Sequence, residues 1–115
     1  MIVTALFIYK ICTLAEWACF QEAGVFSGNP LDQETGYLHL SLPRHLPRIV
    51  GKYFPDQTGI VFLKVPVEKV QGNLKWGPNS KGDLFPHFYG ELKIEHVEAA
   101  FDNLEELLGE DPIQE

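Results

Sequence analysis

The 115 residues hold only two cysteines, one methionine and nine basic side chains against sixteen acidic ones. Cys12 and Cys19 stand seven positions apart. That spacing matches neither a Cys-x-x-Cys redox pair nor a zinc knuckle, so reduced thiols in a cytoplasmic protein are expected, without a disulfide. The shortage of bases, which leaves a net charge of -7, argues against nucleic acid, because phosphate backbones are met by basic patches. Long apolar runs are also missing. The stretch from Met1 to Ile8 has neither the basic start and cleavage site of a leader nor the length of a membrane span, so it reads as the start of a strand and no membrane partner is expected. The spacings of His39, His45, His87 and His96 fit no metal motif, so no metal site is expected. No Gly-x-Ser-x-Gly nucleophile turn, dinucleotide glycine motif or phosphate loop occurs.

What is present suits one soluble domain over residues 1–115, with an acidic segment from 102 to 115. Residues 91–115 carry nine acids against Lys93 alone, which reads as a solvated acidic end. A strand is expected from Thr4 to Cys12, followed by a helix that Thr13 and Glu16 cap as a reciprocal box and Gly24 ends. Leu14, Trp17, Ala18 and Gln21 are assigned to its inner face. Residues 25–35 read as a loop. A second helix follows Ser41, with Pro43 or Pro47 in its first turn and Leu46, Ile49, Val50 and Tyr53 forming a buried stripe. Arg44, Arg48 and Lys52 fall opposite, where a solvated face is the favoured reading over a phosphate-binding stripe. Strands are expected at residues 60–65, 74–76 and 94–101, a turn and connector at 67–73, a loop at 77–82, and an acidic helix from Asn103 to Leu108. Helices early and strands late predict an α+β fold with a largely antiparallel sheet.

The most informative stretch is Tyr37-Leu38-His39-Leu40-Ser41. Strand side chains alternate between faces, so Leu38 and Leu40 should enter the core while Tyr37, His39 and Ser41 share the other face at intervals of about 7 Å. A phenol, an imidazole and a hydroxyl form poor core and a good grip on a polar ligand. Leu84 to Gly90 repeats the pattern: if extended, it sets Phe85, His87 and Tyr89 on one face, with Pro86 confining it to a sheet edge or bend. Trp76 opens the glycine-rich loop before it. His39 and His87, 48 positions apart, are expected to line one pocket as the candidate catalytic pair, with Tyr37, Ser41, Trp76 and Tyr89 as ligand-binding residues.

These strings carry a resemblance. Tyr9-Lys10-Ile11, the helix start from Thr13 to Trp17, Asp32 through Gly36 to Ser41, Lys52-Tyr53-Phe54, Leu74-Lys75-Trp76 and Leu84 to Gly90 resemble, in order and spacing, the small bacterial family catalogued as domain of unknown function 952, over about residues 8–101. The resemblance implies an ADP-ribosyltransferase-like fold, a split antiparallel sheet clasping a cleft that holds NAD in active relatives. It carries His39 and Ser41 over as residues that hold ribose and amide groups. It also implies an acid that stabilises the ribosyl cation, and the family's Trp-Glu stands here as Trp76-Gly77, with Asp83 or Glu91 as unmatched substitutes. The functional expectation is an NAD- or ADP-ribose-related protein with NAD as substrate or ligand. It is either an ADP-ribosyltransferase-like or NAD-glycohydrolase-like enzyme, or a non-catalytic nucleotide or ADP-ribose-binding module of the same fold.

Overall fold

In the computed structural model, which describes residues 6–56, 58–78 and 83–110, the elements run β1 (Phe7–Thr13), α1 (Leu14–Ala23), β2 (Val25–Phe26), α2 (Pro30–Thr35), β3 (Leu38–His39), α3 (Leu46–Tyr53), β4 (Ile60–Pro66), α4 (Val67–Val70), β5 (Leu74–Pro78), β6 (Leu84–Phe88), β7 (Leu92–Lys93), β8 (Ala99–Phe101) and α5 (Leu104–Glu110). The fold is α+β, and every strand pairing is antiparallel. β4 lies between β1 and β8, and β6 lies between β3 and β5. The two three-stranded sheets meet where Tyr9 and Ser41 exchange a pair of backbone hydrogen bonds of 2.8 Å each. That single bridge hangs the β3-β6-β5 sheet from the middle of β1. β2 and β7 form a separate two-residue ladder.

β4 is buried along its whole length, and alternation divides its side chains between two cores. Val61, Leu63 and Val65 join Leu38, Leu40 and Phe88 on one side, while Ile60 and Phe62 join Tyr9, Leu46 and Leu107 on the other. A strand covered on both faces reads as a near-continuous apolar run, and Ile60 to Val65 does so with Lys64 as its one polar interruption.

Several local expectations are corrected. The start of β1 at Thr4 and the loop residues 79–82 lie outside the described residues. The Thr13–Glu16 capping box and the Gly24 stop are present, but α1 buries Phe20, which stacks on Phe26, and exposes Leu14, Ala18 and Gln21. Its apolar residues are spread around the helix, so no stripe marked the buried face. Only residues 27–29 of the expected loop at 25–35 are irregular: β2 and α2 occupy the rest, and α2 begins with an Asn29–Asp32 capping box and Pro30 in the first turn. A 3-10 turn spans Pro43–His45 before α3, where Leu46 and Val50 are buried but Tyr53 is 63% exposed. A 3-10 turn also interrupts the expected last strand at Ile94–His96. Pro86 sits in a central strand rather than at an edge. Its carbonyl accepts from the Leu40 N–H, so its missing donor faces β3, whose ladder ends at His39.

Candidate functional site

β3 and β6 are the floor of the site. Their register sets Leu38 opposite Phe88 in the core and His39 opposite His87 on the other face, which fixes the two imidazoles as cross-strand neighbours with centroids 6.1 Å apart. Tyr37 lies over His87 in a near-parallel stack, 4.1 Å between centroids, and 4.7 Å from His39. Ser41 follows on the same face at the bridge to β1. Tyr37, His39, Ser41 and His87 all border one cleft of about 770 Å³, walled on the far side by the Arg48, Ile49, Lys52 and Tyr53 face of α3.

Beneath His39 lies an ion-paired centre that the sequence did not single out. Asp32 is 2% exposed and uses both carboxylate oxygens. Oδ1 is 2.7 Å from His39 Nδ1 and accepts the His39 backbone N–H at 2.9 Å; Oδ2 accepts from Lys10 Nζ at 2.8 Å and from the Asn29 N–H at 2.9 Å. Lys10, itself 3% exposed, also donates to the His39 carbonyl at 3.1 Å. Burial works against the Asp32 charge, but the hydrogen bond to His39 and the Lys10 ammonium outweigh it and hold the carboxyl well below the usual carboxylate range. An ionised carboxylate at Nδ1 keeps the proton on that nitrogen. His39 therefore turns Nε2, on the opposite edge of a ring one third exposed, to the cleft. Gly28, with φ of +115°, makes this packing fit: a Cβ there would stand 2.7 Å from Asp32 Cβ.

His87 is held differently. An ideal Cβ on Gly77 would fall 2.7 Å from its Cε1 and 2.9 Å from its Nδ1, so the imidazole occupies the space a side chain at 77 would take. The residue expected to be an acid is thus the bed of the second histidine. Burial, then the charge of His39, lowers the His87 pKa.

Trp76 and Tyr89 do not join the cleft. Trp76 pairs with Pro86, on the face shared with Phe88, and packs against the first core. Tyr89 stands 5.4 Å from Tyr37 at the outer end of the ring cluster, with Lys75 Nζ 5.1 Å from its ring, and borders no part of the cavity. Asp83 and Glu91 do not border the cleft: Asp83 pairs with Arg48 of its wall at 3.1 Å, and Glu91 accepts from Ser27 at 2.9 Å. Phe85 lines the cleft and packs at a tilt against His45, ring centroids 4.2 Å apart. Burial pushes the Cys12 thiol up to about 12, which removes it as a nucleophile. Among the described residues no three His, Cys, Asp or Glu gather as metal ligands, and no helix is long and apolar enough to cross a membrane.

This arrangement can orient a ligand hydroxyl against His39 Nε2, offer the Tyr37 ring for stacking, and move a proton at His39 while Asp32 steadies the imidazolium. The chain is similar to CC0527 from Caulobacter crescentus. With the crystal structure of that protein it shares 34% identity over 82% of either chain at a TM-score of 0.77; with the solution NMR structure, 34% over 84% of this chain and 83% of that one at 0.75. No curated protein matches it. The chain belongs to the family described as protein of unknown function, DUF952, whose pattern matches residues 11–100 and so contains every residue that borders the cleft except Lys10.

Proposed function

We propose that the cleft binds a nucleotide of the NAD or ADP-ribose class, on a domain that is ADP-ribosyltransferase-like in fold. The observation that carries the reading is the Asp32–His39 pair. A buried carboxylate fixes the tautomer and orientation of a cleft-facing imidazole, a device suited to recognising a ribose hydroxyl or to relaying its proton. Tyr37 and His87 supply stacked rings beside it for a nicotinamide or adenine, and Ser41 supplies a hydroxyl two positions along the strand direction.

With NAD as substrate, His39 would orient the nicotinamide ribose for transfer or hydrolysis. Loss of nicotinamide leaves positive charge on the ribose, which an enzyme must stabilise. One observation favours a second reading, a binding module without turnover. Among the described residues lining the cleft there is no carboxylate, and the oxygens of Asp32 are already engaged beneath His39. Calorimetric titration with NAD, ADP-ribose and AMP, with nicotinamide release followed in parallel, separates the two. Binding with release supports the enzyme and binding without release supports the module. Failure of NAD, ADP-ribose and AMP alike to bind at millimolar concentration refutes both.

A further inference from the structure

The cleft is a positive feature on a negative molecule. The chain carries a net charge of -7, yet the ionic side chains bordering the cavity among the described residues are Lys10, Arg48 and Lys52, and the acids that pair with Lys10 and Arg48, Asp32 and Asp83, are not part of its lining. Lys10 is neutralised beneath His39 by Asp32. Arg48 and Lys52 are different: they are exposed, four positions apart on α3, and stand about 6 Å apart along the helix axis on the face that walls the cleft. Like charges at that spacing repel, and a shared anion relieves the repulsion. Opposition to the Leu46 and Val50 stripe suggested a solvated face. That face is exposed, and the space it faces is the cleft.

We propose that Arg48 and Lys52 form a diphosphate subsite, so that the phosphates of a bound nucleotide lie against α3 while its ribose and ring lie on β3 and β6. For the nucleotide that carries the diphosphate, this rests on the reading above. Arg48 presents a planar fork that can bridge two phosphate oxygens, and Lys52 adds a mobile point charge. The 3.1 Å contact from Arg48 to Asp83 involves two side chains 49% and 40% exposed, so water already screens it and an incoming phosphate can displace it.

The test is calorimetry of ADP-ribose, adenosine and inorganic pyrophosphate on the wild type, on Arg48→Gln and Lys52→Gln, and on Arg48→Lys. Both side chains are exposed, so these variants should keep the fold. ADP-ribose and pyrophosphate should compete, and each Gln variant should bind both about tenfold more weakly, the loss of one charge-assisted contact. Adenosine affinity should be unchanged, and Arg48→Lys should recover part of the loss. Raising sodium chloride from 50 to 500 mM should weaken the wild type and have little effect on the double Gln variant. Unchanged pyrophosphate affinity in both Gln variants overturns the subsite. If ADP-ribose binds and ignores Arg48 and Lys52, the subsite falls while the nucleotide reading stands. If pyrophosphate binds through them and ADP-ribose does not, the subsite stands and the nucleotide reading falls.

Discussion

Asp32 is the residue on which stability and site converge. A carboxyl depressed on folding contributes stability that is fully present above its unfolded value, near pH 4, and is lost as pH falls toward the folded value. Asp32→Asn leaves Lys10 buried without its counter-charge, and should cost about 3 kcal/mol at pH 7 by urea denaturation. The gap between wild type and variant should narrow as pH drops below 4, where the unfolded wild type takes up a proton. A constant gap from pH 7 to pH 2.5 would remove the ion pair from the account. His87 and His45 act in a higher window. Burial depresses both, helped at His87 by His39 and at His45 by Arg44 and then Arg48. The unfolded chain binds these protons more readily, so stability should rise with pH up to about 6.5 and level off. Replacing both with Gln should flatten that slope in melts from pH 5 to 7.5.

At the scale of elements, the β5–β6 hairpin sets the position of His87. Gly77→Ala places a methyl group where the imidazole lies, so the ring must leave its stack on Tyr37. Proton shifts of Tyr37 should move, ligand affinity should fall, and the melting temperature should change little. Unmoved Tyr37 shifts would show that the bed is not needed. The elements also show what the sequence made legible. Alternation from Tyr37 to Ser41 placed each side chain on its face, because period two survives in any strand with one side buried. The Asn29-Pro30-x-Asp32 signature of α2 was readable too, but glycine and serine just before it masked the helix. Asp32 was hidden by its position: a first-turn acid reads as a cap, and its other partners, Lys10 and His39, come from elements that only the fold brings near. Trp76 was placed wrongly because the register of β5 against β6, which turns it to the core, is set by pairing and not by local pattern.

For the molecule as a whole, β4 joins two cores, and the cleft lies where the second sheet leaves β1. Leu63→Ala removes a fully buried side chain from the first core and should cost about 2–5 kcal/mol, read as a lower urea midpoint. Composition and strand order gave the α+β class, but not the single Tyr9–Ser41 bridge that opens the cleft against α3. The helical period correctly set Arg48 and Lys52 opposite the core. What bounds that outer face depends on where α3 sits relative to β3 and β6, and no local signal carries it. His39, His87 and α3, with Asp32 beneath His39, enclose the nucleotide site proposed above. Its most direct test is an NMR titration of the wild type with ADP-ribose. The imidazole resonances of His39 and His87 and the amides of α3 should shift together along one saturation curve. Saturable shifts confined to other parts of the domain, or none at millimolar ligand, would contradict it.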